Sequence, residues 1–155
     1  RLTYAEALQI LEEHGMHVPW GEDLTTEAEK KLGKALKERG HELYFVTKYP
    51  LKIKPFYTMP SDDQKYSNSF DLEFKGREII SGSQRIHDYD MLVKRIKAKK
   101  LNPSNFSYYL DAFKYGMPSH GGFGLGIERF VTLLLDLPNV RESVLFPRDR
   151  KRLEP

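Results

Sequence analysis

The tightest constraint on the fold lies in Ser69-Phe-Asp-Leu-Glu-Phe-Lys-Gly-Arg-Glu-Ile-Ile-Ser81. Phe70, Leu72 and Phe74 alternate with Ser69, Asp71 and Glu73, the period of a strand whose two faces meet different surroundings. Lys75-Gly76 supplies a two-residue turn and Arg77–Ser81 returns as a second strand. A chain with this hairpin must build a sheet around it. The short turn places Glu73 opposite Glu78, with Asp71 diagonally beside them on the same face. Like charges facing one another across a sheet repel. Two readings stay open: a solvated polar face, or a face relieved by a cation. Mg²⁺ takes a few carboxylate oxygens together with phosphate oxygens and water, and suits such a set.

Beyond the hairpin, Ser81-Gly-Ser-Gln-Arg-Ile-His87 brings hydroxyls, an amide, a guanidinium and an imidazole past the strand end, as a pocket rim does. Arg85 can grip a carboxylate through two parallel hydrogen bonds, or pair with Glu78 or Asp88 as a structural bridge. His87 reads as an N-cap or a packed histidine ahead of the helix that starts at Asp88.

The second marked stretch is Ser119-His-Gly-Gly-Phe-Gly-Leu-Gly-Ile-Glu-Arg-Phe130, with glycine at 121, 122, 124 and 126. Ile127, Phe130, Val131, Leu134 and Leu135 then follow helical spacing, and Pro138 stops the helix. A backbone nearly bare of side chains leads into free helix N–H groups, and Arg129 adds a permanent planar cation in the first turn. This describes a nucleotide-phosphate platform; a glycine turn whose helix merely caps a core is the plainer alternative. The G-x-G-x-G spacing fits neither the dinucleotide fingerprint nor the Walker loop.

The remaining segments predict structure. Thr3-x-x-Glu6 is a capping box for a helix ending at Gly15, and Thr26-x-x-Glu29 caps a second that closes at Gly40. Trp20, between them, is expected as a core anchor. Leu43–Tyr49 reads as a strand and Leu51–Lys54 as a second extended piece, followed by a surface loop over 60–67. Tyr89–Lys100 is an amphipathic helix whose basic face either touches RNA or is simply solvated. A further helix spans about Ser104–Tyr115.

At 155 residues the chain is one domain's worth. With 39% hydrophobic and 30% charged residues it is globular rather than disordered, and no apolar run reaches the roughly 20 residues of a membrane helix. Absence of cysteine excludes disulfides and thiolate metal sites and is compatible with the cytosol. A net charge of +3 discriminates little.

The two clusters together resemble class II aminoacyl-tRNA synthetases, within them the aspartyl-tRNA synthetases of archaeal and eukaryotic cytosolic type. Gly122-Phe-Gly-Leu-Gly-Ile-Glu-Arg129 is similar to motif 3 of that class, here placed at 119–135. Phe70–Phe74 and Glu78–His87 resemble the strand pair with the Mg²⁺ ligands and the amino-acid pocket. Trp20–Leu24, Pro55–Met59 and the ending Leu145–Pro155 also match. The resemblance implies an α/β (α+β) fold, an antiparallel sheet flanked by helices. It implies Mg²⁺ on Asp71, Glu78 and Ser81, and ATP over Gly122, Gly124 and Gly126 with its γ-phosphate on Arg129. Glu78 and Arg129 would act in catalysis. Arg85 would read the side chain of aspartate, with Ser81 and His120 beside it. Strict alternation from Glu78 puts Ser81 on the opposite sheet face, so it can join the metal only if the strand bulges or twists near Gly82.

The implied reaction is attack of the aspartate α-carboxylate on the α-phosphate of ATP, followed by transfer to tRNA, in the cytoplasm and away from membranes. Motif 1, motif 2, the anticodon-binding domain and the upstream lysine and glutamine contacts to aspartate have no counterpart in the sequence. The expectation is therefore the C-terminal part of a catalytic domain, incomplete by itself, working with its missing first half or with a homodimer partner. The rival readings are a non-catalytic tRNA-binding or interaction module, an aspartate-dependent asparagine synthetase, and an asparaginyl-tRNA synthetase relative.

Overall fold

The structure, a computed structural model, describes residues 1–154. Five strands form one sheet in chain order: β1 (Leu2–Thr3), β2 (Leu43–Thr47), β3 (Ser69–Phe74), β4 (Arg77–Arg85) and β5 (His120–Leu125). All neighbours pair antiparallel except β1 and β2, which run parallel. The sheet is thus mixed, not wholly antiparallel. Two helices, α1 (Tyr4–Glu13) and α2 (Thr26–Glu38), make the long crossover that a parallel pair requires.

α1 opens with the expected capping box: the Thr3 hydroxyl accepts the Glu6 N–H, and the Glu6 carboxylate accepts the Thr3 N–H at 2.7 Å. The box expected on Thr26 does not form. Thr25 has the extended backbone of a cap, and its hydroxyl accepts the Ala28 N–H, leaving Glu29 to face the sheet. Tyr4, Ala7 and Leu11 of α1 pack with Leu32, Ala35 and Leu36 of α2 over Tyr44 and Val46 of β2. Lys75 and Gly76 turn the β3–β4 hairpin with φ of 49° and 73°, as a tight hairpin demands. Gly76 also meets α2 backbone to backbone: a β-carbon on Gly33 would stand 2.2 Å from the Gly76 Cα. That contact seats α2 on the hairpin.

A second cluster, Ile86, Leu92, Ile96, Leu110 and Phe113, joins the end of β4 to α3 (Tyr89–Ala98) and α4 (Ser107–Lys114). Asp88 caps α3 by accepting the Met91 N–H at 2.7 Å, so His87 is not the cap. A 3₁₀ turn, Pro103–Phe106, leads into α4, and α5 (Ile127–Leu134) follows the glycine stretch.

Several expectations change. β2 stops at Thr47 because Lys48 takes φ of 56°, and residues 51–54 form turns rather than an extended piece. β4 runs on to Arg85, so the polar run past Ser81 belongs to the strand itself instead of lying beyond its end. The glycine stretch is itself a strand, β5, held by the β4 ladder. Trp20 is 55% exposed, not a core anchor; its ring forms T-shaped pairs with Tyr4 and Tyr66. Of the expected ending motif, Pro155 lies outside the described residues.

The two faces of β3 also differ from a solvated-polar reading. Asp71 and Glu73 are 3% and 2% exposed, because their partners across β2 are Val46 and Tyr44, which face the helix-covered core. The apolar side is only partly covered, with Phe70 against Phe45 and Phe74 against Phe130 of α5.

Candidate functional site

One extra residue in β4 builds the site. Leu72 pairs with Ile80, but the next pair is Glu73 with Glu78, so Ile79 is left over as a bulge. Because side chains alternate, a single inserted residue reverses the phase of everything beyond it. Glu78 and Ser81, three positions apart, therefore emerge on the same face, with Ser81 directly opposite Asp71. The bulge needed to bring them together lies at Ile79, not near Gly82. Ser83 and Arg85 continue on that face, and β5 sets Gly124 opposite Ser81, Gly122 opposite Ser83 and His120 opposite Arg85.

This face holds an excess of acid. Lys54 Nζ stands 2.8 Å from Asp71 Oδ2 and 3.6 Å from the centre of the Tyr49 ring, while Asp71 Oδ1 is buried with no partner. Glu73 lies between Tyr44 and Glu78, its Oε2 also buried and unpartnered. Burial, then the charges of Glu29, Glu78 and Asp71, push the Glu73 carboxyl up to about 8. Burial and Asp71 also raise Glu78, against the opposing pull of Lys54 and Arg129. Burial raises half-buried Glu29, which Arg77 opposes from 3.6 Å.

Arg129 closes the arrangement from α5. Its Nη1 donates to the Glu78 carbonyl and lies 3.6 Å from Glu78 Oε1. The glycine stretch and the acidic hairpin, 51 residues apart in the chain, thus meet at one pair of residues. Gly126 is the N-cap of α5 and offers no side chain to its free N–H groups; its own N–H bonds to the Ile79 carbonyl at 2.9 Å.

Beside the acids lies a cavity of about 220 Å³ whose walls include Lys54, Thr58, Ser81, Ser83, Arg85 and Gly124. A β-carbon at Gly124 would meet nothing within 4 Å, so the backbone there is open to a ligand. Arg85 lies with its guanidinium 4.5 Å from the centre of the Tyr57 ring, and among the described residues it makes no ion pair with Glu78 or Asp88. Gly122 stands beside that guanidinium. His120 lines the neighbouring aromatic groove with Phe56, Tyr57 and Tyr109, and it shares Arg85 with the cavity. Its Nδ1 lies 2.9 Å from the Pro118 carbonyl oxygen.

Asp71, Glu78, Ser81, Arg85 and Arg129 are therefore brought together, with Gly122 and Gly124 alongside; Gly126 and His120 stand at the margin. Among the described residues no cluster of three or more His, Asp or Glu is disposed to hold a metal unaided. Two carboxylates, one with an unpartnered oxygen, and a facing hydroxyl do suit Mg²⁺ that completes its octahedron with phosphate oxygens and water. Lys54 and Thr58 are not among the expected site residues, whereas Ser83 lies in the polar run expected to line a pocket. Lys54 stood in a piece read as extended, and its only signal was a cation next to Pro55-Phe-Tyr.

The family of class II tRNA synthetases (D, K and N) matches residues 1–150. An aspartate–tRNA(Asp) ligase of Pyrococcus furiosus is 56% identical over the whole chain, which spans 36% of that relative. Among solved structures, an aspartyl-tRNA synthetase from Entamoeba histolytica superposes on all of the chain with a TM-score of 0.95 at 44% identity, the chain spanning 32% of it. An asparaginyl-tRNA synthetase from Pyrococcus horikoshii complexed with asparaginyl-adenylate gives 0.90 at 39% identity, again over all of the chain and 36% of the other. The chain thus spans about a third of the length of the relatives it matches, with a fold that follows theirs from end to end. It belongs to the class II tRNA synthetases of the D, K and N group.

Proposed function

We propose that this chain carries the amino-acid-activating part of an aspartate–tRNA ligase. In this reading ATP lies along β5 with its phosphates over Gly122, Gly124 and the start of α5, and Arg129 holds the γ-phosphate. Asp71, Glu78 and Ser81 are the residues for Mg²⁺, which when bound offsets phosphate charge and polarises the α-phosphate. Aspartate fills the small cavity with its side-chain carboxylate toward Arg85 and, next to it, Lys54. Its α-carboxylate attacks the α-phosphorus, pyrophosphate leaves, and the terminal ribose hydroxyl of tRNA then takes the aspartyl group from the adenylate. No protein nucleophile is needed; positioning and charge neutralisation carry the reaction. Glu78 and Arg129 act as one unit, the carboxylate toward the metal and the guanidinium toward the phosphates.

The observation that carries this reading is the meeting of Arg129 with Glu78 beside the Asp71–Ser81 pair. Aspartate is favoured over asparagine because the Arg85 guanidinium lines the cavity with no carboxylate partner among the described residues, whereas Lys54 is already paired with Asp71. A neutral amide there would leave Arg85 without an anion, a strong basis for discrimination. The working protein is proposed to be cytoplasmic, with the rest of a ligase of the relatives' length, or a second copy, completing the site. No helix among the described residues is long and apolar enough to cross a membrane.

The test is calorimetric titration of the chain with Mg²⁺-ATP, followed by aspartate-dependent ATP–pyrophosphate exchange. Binding is expected for the parent and lost in Arg129→Ala, with slow exchange by the chain alone. Failure of the parent to bind Mg²⁺-ATP at millimolar concentration, or undiminished binding by Arg129→Ala, overturns the proposal.

A further inference from the structure

Beside the Pro50–Lys54 turns runs an open groove of about 850 Å³ whose walls include Trp20, Lys52, Lys65, Tyr66, Arg95 and Lys99. Four cations line it and no acidic side chain does. The acids of the flanking loops, Glu22, Asp23, Asp62 and Asp63, stand outside its lining. Two of the cations come from α3 or its end and are held by backbone rather than by carboxylates. Arg95 donates to the Leu51 carbonyl at 3.3 Å and Lys99 to the Lys52 carbonyl at 2.6 Å. Arg95 Nε is buried without a partner. Positive charge is thus fixed in place at Arg95 and Lys99, and among the described residues none of the four cations forms an ion pair within 4 Å.

Aromatic surface lies among these charges. Trp20 is exposed, its ring set edge-on to Tyr66 with centroids 6.1 Å apart. A large apolar ring left in water beside unneutralised cations matches the way proteins hold single-stranded nucleic acid, with phosphates on the cations and a base on the aromatic face. The groove and the cavity share no lining residue but draw on the same two segments: Lys52 lines the groove and Lys54 the cavity, and Lys65 and Tyr66 line the groove while Ser69 lines the cavity.

We propose that the Trp20–Tyr66–Arg95 groove binds a single strand of RNA. This deepens the ligase reading and rests on it for the identity of the strand. The arrangement itself asks only for a flexible polyanion with stackable bases.

Trp20 is the only tryptophan in the chain, so its fluorescence reports directly on the groove. The experiment titrates the chain with a single-stranded RNA dodecamer at KCl from 50 to 300 mM, following Trp20 quenching and the anisotropy of end-labelled RNA. Four phosphate contacts predict a slope of about −3 for log K against log salt, falling by about 1.4 in the Lys52→Gln/Lys65→Gln double variant. The same charge loss on the exposed outer face of α3, Lys94→Gln/Lys97→Gln, is expected to leave quenching and slope unchanged. Absence of quenching, equal loss in both double variants, or equal affinity for inorganic polyphosphate overturns the proposal. Arg129→Ala separates the two readings, since it removes ATP binding and leaves RNA binding intact. RNA binding without any Mg²⁺-ATP binding by the parent sinks the ligase reading alone, and the converse sinks the groove alone.

Discussion

Lys54 and Asp71 form an ion pair of 2.8 Å almost withdrawn from water, with 12% and 4% of their side-chain surface exposed. Losing one partner strands the other charge in a medium that solvates it poorly. Lys54→Met is expected to cost about 3–5 kcal/mol, the range for a broken buried pair. Adding Asp71→Asn removes the stranded charge and should recover most of that loss. Urea denaturation of the parent, the single and the double variant checks both steps, and an additive double variant would refute the coupling.

Glu73 makes stability depend on pH in a defined direction. Folded, it keeps its proton up to about pH 8; unfolded, it releases it near the ordinary value of 4.5. Its contribution is therefore complete below about pH 4.5 and is lost as pH rises through about 8. Glu73→Gln mimics the protonated form and is expected to exceed the parent at pH 9 by something on the order of 4 kcal/mol, with the difference vanishing near pH 5. Denaturant midpoints at pH 5, 7 and 9 in EDTA measure it.

Two glycines of the sheet separate packing from ligand access. A β-carbon at Gly82 would lie 2.6 Å from the Phe70 ring and 2.8 Å from Phe123, whereas one at Gly124 meets nothing within 4 Å. Gly82→Ala is expected to lower stability by about 1–3 kcal/mol through overpacking. Gly124→Ala should leave the melting temperature within a degree or two and weaken Mg²⁺-ATP binding tenfold or more. Thermal melts and calorimetry on the same samples distinguish them.

Arg85 supplies the last contrast. Arg85→Gln keeps a polar side chain beside Tyr57 but removes the cation from the cavity. Aspartate-dependent pyrophosphate exchange should fall at least a hundredfold in the complete ligase while Mg²⁺-ATP affinity stays within about threefold. Equal loss of both would show that Arg85 acts on the nucleotide instead.

Much of this was legible in the chain. The Ser69–Phe74 alternation, the Lys75-Gly76 turn and the Thr3 capping box are local devices, and local devices act through neighbours in sequence. What the chain does not disclose is what long-range partners decide. Large rings generally lie inside, but α1, α2 and β2 complete their core without Trp20. The glycine stretch has no strand propensity and becomes β5 because β4 offers it a ladder.

By itself, then, the sequence determined the hairpin, the helices, the family and the cluster of acids, glycines and arginines. Tertiary structure alone decided which face of the hairpin would be buried, that Ile79 would bulge to turn Ser81 toward Asp71, and that Lys54 would reach into the acids. The physical reason is that alternation tells two faces apart without saying which one a helix will cover. A single unpaired residue in a ladder has no signature until its partner strand is in place.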